Sequence, residues 1–264
     1  MKNCKDEVIA VIEVDDHGTS IRRTKNYDSI FVGLDAYYKH KHVYSNPIVI
    51  VTESPHIEEF KVNRVNDFMT GLPVNSRPVN GVSGSNIMNY LIPLIDNSDI
   101  NLENGKYPVI VLNALHQQCS LGVDTLIHRT KNFLKLWKSH RKFLESRLKT
   151  IQPTIVLCAC TVGDFYLKDG TKAYGSGREV FSNNFANLLT EEFSLKPCNN
   201  LGSHVFMGAF DLSGLVLNII HKTFGNKVQH IYKTTHPSSW LQRHPVLRKY
   251  NTQEYSYENI TSSS

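Results

Sequence analysis

Short apolar runs, most of them rich in valine and isoleucine, recur along the chain with helix-patterned sequence between them. Such runs are typical of strands that are buried on both faces of a parallel sheet, because neither face needs polar side chains. We predict strands over Val8–Val14, Ile48–Thr52, Val109–Asn113, Thr154–Ala159, His204–Met207 and Gln229–Thr234. This pattern constrains the fold more than any other feature of the sequence.

Segments with apolar residues at helical spacing lie between the predicted strands. We predict helices over Ser85–Ile95, Arg129–Lys149, Asn184–Phe193 and Leu212–Phe224. Strands that alternate with helices favour an α/β fold, here a three-layer α/β/α sandwich around a central, mostly parallel sheet. We assign residues 1–250 to one domain, with 1–45 as an N-terminal extension packed on it, and 251–264 as a flexible tail.

The composition excludes several classes of protein. The 264 residues include 29 Lys and Arg against 24 Asp and Glu, a net charge of +5 that permits binding to nucleic acid. Five scattered cysteines without a Cys-x-x-Cys pair argue against a disulfide framework and against a zinc or iron–sulfur site. No apolar run approaches the ~20 residues of a membrane span. We therefore expect a cytoplasmic protein that needs no metal ion or cofactor.

Polar residues lie at or just after the carboxyl ends of three predicted strands, at the edge where parallel sheets bind ligands. Glu53 is placed to orient a water molecule or accept a proton. The Asn113 amide suits the reading of a base edge, and His236 can donate to negative charge that develops on a substrate. Taken singly, each also suits a structural role as a solvated acid, a turn-forming amide or a structural histidine.

A glycine-containing segment before the first long helix suits contacts with phosphate. Gly81 and Gly84 leave room for main-chain amides to approach an anion. Either Ser83 or Ser85 is expected to cap the helix. A Gly-x-x-Gly pattern is by itself weakly specific.

The predicted helix Arg129–Lys149 is strongly basic, with eight Lys or Arg residues and Glu145 as its only acid. A basic helix face is a candidate surface for the phosphates of nucleic acid. A solvated face remote from any site is equally compatible with this pattern.

The order of these segments resembles the uracil-DNA glycosylase superfamily, particularly the branch whose first motif reads Gly-Glu-Ala-Pro-Gly. The segment Thr52–His56 (TESPH) looks like that motif, and Glu58 and Glu59 fall where the branch usually carries acids. The stretch Arg77–Gly84 is similar to the Arg-Pro-Phe-x-Gly-x-x-Gly segment that opens the next helix of the family. Asn113 falls where the family ends a strand in Thr-Asn or an equivalent.

The segment His236-Pro237-Ser238 looks like the closing His-Pro-Ser motif of the family. The resemblance implies that Glu53 positions water, that His236 donates to the departing base and that Asn113 reads the base. It also implies DNA contacts, with a side chain that fills the gap left in the duplex. The implied DNA-binding residues are Gly81, Ser83, Gly84, Ser85, Ser238, Trp240, Leu241 and Arg243.

Several departures from the family pattern bear on the substrate. The iron–sulfur cysteines of the branch are missing. Val79 replaces the phenylalanine on which the family stacks a flipped uracil, and His56 replaces the glycine that closes the first motif. Thr52 replaces the opening glycine. We therefore include Val79 and His56 among the base-recognition residues and expect a roomier pocket than uracil needs.

The resemblance implies a monofunctional DNA glycosylase that flips a pyrimidine out of the duplex and hydrolyses its N-glycosidic bond. The roomier pocket favours a modified cytosine, such as a glucosylated hydroxymethylcytosine of phage DNA, removed by a monomer as antiviral defence. Uracil excision in repair, a catalytically inactive DNA-binding relative and an enzyme acting on free nucleosides are the alternatives.

Overall fold

The computed structural model describes the chain in ten segments. The described residues are 4–24, 34–56, 59, 78–79, 81–119, 125–161, 178–180, 205–207, 212–228 and 230–249. The predicted helix over Asn184–Phe193 and the tail 251–264 lie outside these residues.

The described strands and helices alternate along much of the chain. The strands are β1 (Glu7–Asp15), β2 (Gly18–Arg23), β3 (Ile48–Thr52), β4 (Gly105–Asn113), β5 (Ile155–Cys158), β6 (Arg178–Val180), β7 (Val205–Met207), β8 (His230–Lys233) and β9 (Arg248–Lys249). The α-helices are α1 (Leu34–Lys39), α2 (Val82–Asp96), α3 (Thr125–Thr150) and α4 (Leu212–Phe224). Short 3-10 turns occupy Lys41–Val43, Gly225–Lys227 and Pro237–Ser239.

A seven-stranded mixed sheet has the strand order β2-β1-β4-β3-β5-β8-β9. Its central strands β4, β3, β5 and β8 run parallel to one another. Antiparallel pairs extend it on both sides, with β1 and β2 beyond β4 and β9 beyond β8. The prediction of an α/β fold around a mostly parallel sheet is confirmed for this centre.

Both faces of the sheet are covered, because successive side chains of a buried strand point to opposite sides. Val49 and Val51 belong to an apolar cluster with side chains of α3 and α4. Ile48 and Ile50 belong to a second cluster with side chains of α2. The continuous apolar run of β3 is therefore buried along its whole length.

The N-terminal segment contributes strands to the main sheet. β1 pairs with β4 from Glu7 opposite Val111 to Val14 opposite Gly105. This pairing explains why β4 begins at Gly105, four residues before the predicted start at Val109.

The predicted strand over His204–Met207 is confirmed at Val205–Met207, but it lies outside the main sheet. Val205–Met207 pairs antiparallel with Arg178–Val180 in a separate two-stranded sheet. An apolar run of three residues shows that a segment is extended, but it does not specify its partner strand.

The register brings the carboxyl ends of the parallel strands together at one edge of the sheet. Thr52 lies opposite Asn113, and Val51 lies opposite Cys158. Cys158 in turn lies opposite Lys233 on β8. The residues that follow β3, β4, β5 and β8 therefore meet at this edge. Among the described residues, no helix is both long and apolar enough to cross a membrane.

Candidate active site at the carboxyl edge of the sheet

Glu53 follows β3 directly and lies buried at the carboxyl edge, with an exposed fraction of 3%. Its main-chain oxygen accepts from the N–H of Leu115, which ties the turn to the segment after β4. Its carboxylate accepts from Thr161, at 3.2 Å from the main-chain N–H and 3.1 Å from the hydroxyl. These donors hold a buried carboxylate in one orientation.

His236 lies opposite Glu53, before the 3-10 turn Pro237–Ser239. The main-chain N–H of Ser238 donates to Nδ1 at 3.2 Å, so the neutral ring carries its hydrogen on Nε2. Nε2 lies 4.0 Å from Oε2 of Glu53. This separation is too long for a hydrogen bond. The imidazole and the carboxylate therefore face each other without a direct hydrogen bond between them.

Asn86 of α2 holds the turn that carries His236. Its Nδ2 donates to the main-chain oxygen of Pro237 at 2.7 Å, and the side chain is buried. The position of the imidazole therefore depends on α2 as well as on β8. Sequence analysis missed this contact, because it joins residues that are 151 positions apart.

Asn113 ends β4, and its side-chain amide makes one hydrogen bond at each end. Oδ1 accepts from the Thr52 hydroxyl at 2.7 Å, and Nδ2 donates to Oε2 of Glu59 at 3.5 Å. The side chain has an exposed fraction of 1%. Each polar atom of the amide keeps one further hydrogen-bonding position, a donor on Nδ2 and an acceptor on Oδ1.

Glu59 is a second buried acid of the site, with an exposed fraction of 8%. Burial raises its pKa to about 7, the nearby charge of Glu53 adds to this shift, and hydrogen bonds from Val79, Asn113 and Cys4 oppose it. Oε1 accepts from the main-chain N–H of Val79 at 2.8 Å. Glu59 therefore changes its protonation state in the neutral pH range.

Val79 has a φ of 50°, a left-handed conformation that β-branched residues rarely adopt. Its side chain is buried in the second apolar cluster, which also contains Ile87 and Leu91 of α2. A Cβ at Gly84 would meet the main-chain oxygen of Val79. Gly84 therefore allows α2 to pass close to this turn, and its predicted contact with phosphate stays a prediction.

The predicted capping of α2 by Ser83 or Ser85 is wrong, since the N-cap is Gly81, with a φ of 141° and no side-chain cap bond. The main-chain N–H of Ser85 donates to the Gly81 oxygen, so it belongs to the helix and is not available for phosphate. The Ser238 amide is similarly engaged by His236. The amides of Ser85 and Ser238 therefore form hydrogen bonds within the protein.

Trp240 does not project toward a duplex as predicted. Its side chain is completely buried in the second apolar cluster, and Nε1 donates to the main-chain oxygen of Thr235. The proposed wedge role is therefore wrong for Trp240, because moving the ring outward would expose a large apolar surface. Leu241 is 65% exposed, and Arg243 and His56 are also exposed.

Arg147 of α3 points inward, although the sequence placed it on a basic surface. It donates to Asp6 at 2.6 Å and to the main-chain oxygens of Asn113 and Ala114 at 2.8 and 3.0 Å. His116 lies 3.0 Å from the same Asp6 oxygen. This cluster fixes the end of β4 from behind the site.

Thr161 follows β5, which is the one central strand whose carboxyl end the sequence analysis left without a candidate. The rule that identified Glu53, Asn113 and His236 would have found Thr161 as well. The described residues contain no group of three or more His, Cys, Asp or Glu side chains arranged to hold a metal ion.

Comparisons with known proteins add no assignment. No family model, no curated protein and no solved structure matches the chain. The side chains at the carboxyl edge are therefore the basis for a functional assignment.

Proposed function

We propose that this protein is a DNA glycosylase that hydrolyses the N-glycosidic bond of a pyrimidine nucleotide. The observation that carries the proposal is the buried Glu53 carboxylate, which faces Nε2 of His236 across 4.0 Å beside the amide of Asn113. Cleavage of an N-glycosidic bond develops positive charge on the sugar and negative charge on the departing base. A carboxylate and a neutral donor at this separation complement both charges.

Glu53 takes the sugar side of the reaction. Its carboxylate stabilises the oxocarbenium-like transition state and orients the attacking water, while Thr161 keeps it in position. His236 takes the base side, where its Nε2–H donates to the oxygen on which negative charge develops. A preorganised donor of this kind contributes about 3–4 kcal/mol in comparable oxyanion sites.

Asn113 reads the edge of the flipped pyrimidine with its remaining donor and acceptor. The resemblance to the uracil-DNA glycosylase superfamily supports this role. We propose a cytosine that carries a polar substituent at C5 as the substrate. Val79 provides no aromatic ring on which a uracil could stack, and the exposed His56 side chain can form a hydrogen bond with the substituent. Antiviral defence against phage with modified DNA is the corresponding biological role, and uracil repair is the alternative.

The proposed DNA surface combines the exposed Leu241 with the basic face of α3. α3 runs antiparallel to the chain that leaves β4, since Arg147 contacts the Asn113 oxygen and Asn132 contacts the Cys119 oxygen. The helix therefore extends past the carboxyl edge. Lys135, Lys138 and Lys142 are exposed at spacings that put them on one helix face. We expect this face to contact the phosphates of a duplex that is bound at the edge.

Hydrolysis of free nucleosides is a second candidate, favoured by the burial of Trp240. An enzyme for free nucleosides needs no side chain that fills a gap in a duplex, and burial removes the largest predicted wedge. Leu241 and the lysines of α3 favour DNA.

An assay for abasic sites distinguishes these functions. Duplexes with one uracil or one glucosylated hydroxymethylcytosine are incubated with the protein, treated with alkali and separated on a gel, while the matching free nucleosides are analysed for base release. We expect strand cleavage only at the modified cytosine. Release from free nucleosides alone would favour the second candidate, and cleavage at uracil alone would favour repair.

A further inference from the structure

Thr52, Asn113 and Glu59 form a buried chain of hydrogen bonds that has two complete arrangements. In the arrangement of the structure, Nδ2 of Asn113 donates to Glu59 and Oδ1 accepts from the Thr52 hydroxyl. This arrangement favours an ionised Glu59, because both of its carboxylate oxygens accept a hydrogen bond there, Oε1 from Val79 and Oε2 from Asn113.

The second arrangement appears when Glu59 takes up a proton. The carboxylic acid then donates to Asn113, and the amide turns over so that Oδ1 accepts from Glu59. Nδ2 now donates to the Thr52 oxygen, and the Thr52 hydroxyl turns to the main-chain oxygen of Leu112, which already lies 3.3 Å away. One proton from solvent forms an O–H bond on Glu59, no other covalent bond forms or breaks, and every donor keeps an acceptor.

The turn of the amide exchanges the donor and acceptor that remain available to a base. Uracil offers N3–H and the O4 acceptor, whereas cytosine offers the N3 acceptor and the N4 donor, so an amide matches one base in each orientation. We propose that Glu59 is a positioning residue whose proton sets the orientation of the Asn113 amide, and through it the preference between uracil-like and cytosine-like edges. The inference rests on the proposed function and names the source of its base selectivity.

The surroundings of Glu59 place the change between the two arrangements at neutral pH. Burial and the charge of Glu53 raise its pKa to about 7. Among the described residues, the titratable and charged groups that face Glu59 or its hydrogen-bonding partners are Glu53, Cys4, Asp6, Glu7, Arg147 and Arg23, whose guanidinium lies beside Gly84 at the Val79 turn. Arg147 acts on the main-chain oxygen of Asn113 and is paired with Asp6, so its charge is largely offset locally.

Glu59→Gln removes the titrating proton and keeps the shape of the side chain, so it tests the effect of the Glu59 proton on Asn113. The N–H of Val79 needs an acceptor, so the glutamine oxygen takes the place of Oε1 and its NH₂ group faces Asn113. That NH₂ group donates to Oδ1 at every pH and maintains the arrangement of protonated Glu59. Glu13→Gln on β1 is the matched control, because Glu13 is 43% exposed and pairs with Lys106 away from the site.

The first readout needs no turnover. In protein labelled with ¹⁵N at asparagine, the side-chain signal of Asn113 is assigned by its loss in Asn113→Asp. We expect this signal to move with pH around a midpoint near 7 in the wild type and in Glu13→Gln, and to stay constant in Glu59→Gln. A constant signal in the wild type, or the same titration in Glu59→Gln, overturns the inference.

The second readout is the affinity for duplexes that carry a non-hydrolysable 2′-fluoroarabino uridine or cytidine. We expect the ratio of the two Kd values to change at least about fivefold between acidic and basic pH, the lower end of base discrimination by a bidentate contact. In Glu59→Gln the ratio should stay at the acidic limit of the wild type. A ratio that does not change with pH in the wild type contradicts the inference, whatever the activity.

These readouts separate the two claims. Absence of base release from every substrate would refute the proposed glycosylase function and leave the titration and the affinity ratio measurable. A normal glycosylase with a pH-independent Asn113 signal would refute the role of Glu59 alone.

Discussion

Two polar clusters meet at the end of β4, and they treat buried charge in opposite ways. Behind the strand, the Asp6 carboxylate is paired with the Arg147 guanidinium at 2.6 Å. In front of it, Glu59 is held by neutral donors, and Glu53 by the neutral donors of Thr161. Removal of one partner from a buried ion pair leaves an uncompensated charge and is strongly destabilising, whereas a carboxylate held by neutral donors, such as Glu53, can present its charge to a substrate. We therefore regard the rear cluster as structural and the front cluster as the place of the proposed chemistry.

The largest expected effect is the loss of base release in Glu53→Gln. The substitution keeps the shape of the side chain and removes the charge that faces the sugar, so we expect the rate to fall by about 10³-fold or more while DNA affinity is maintained. Single-turnover base release and binding to a non-hydrolysable duplex measure the two quantities. An unchanged rate of base release would show that Glu53 does not take part in the reaction.

Arg147→Met should break the rear cluster. Asp6 and the main-chain oxygens of Asn113 and Ala114 lose their shared donor, so the free energy of unfolding should fall by about 3–5 kcal/mol. Urea unfolding measures this change. Lys149→Met is the matched control, since its exposed pair with Glu145 should contribute less than about 1 kcal/mol. Similar losses in both variants would show that Arg147 is an ordinary surface cation.

Glu59 should make the wild type less stable at high pH. Its pKa of about 7 lies above the ordinary value of 4.5, so the folded state binds more protons than the unfolded state between these values. The free energy of unfolding should therefore fall, relative to Glu59→Gln, as the pH rises through this window, by a total of the order of 3 kcal/mol. Urea unfolding at several pH values measures this difference. A constant difference would show that Glu59 titrates normally.

The smallest expected effect concerns the outer face of α3. Replacement of Lys135 and Lys142 by glutamine should reduce the slope of log K against log salt for duplex DNA by about 1.8, if each lysine neutralises one phosphate. Lys41→Gln, next to the amino edge of the sheet, is the control and should leave the slope unchanged. An unchanged slope in the double variant would show that these lysines do not contact DNA and that this helix face is only solvated.

The sequence predicts the central strands well because their apolar runs are continuous, as in β3 and β5. The same pattern points to Glu53, Asn113 and His236 as candidates, since each lies at or just after the end of a predicted strand. The prediction of an exposed Trp240 was wrong because the sequence pattern after the His-Pro-Ser segment is the same for an exposed ring and for a buried ring. Arg147 was misplaced because charge alone does not tell which way a helix residue points, and Asp6 lies 141 residues away.

The most direct test of the central claim is a double-mutant cycle of Glu53→Gln and His236→Ala on the rate of base release. If the carboxylate and the imidazole act as a unit on one transition state, the double variant should be about as slow as the slower single variant. Multiplicative losses in the double variant, or base release that neither substitution changes, would contradict the assignment of the carboxyl edge as the active site.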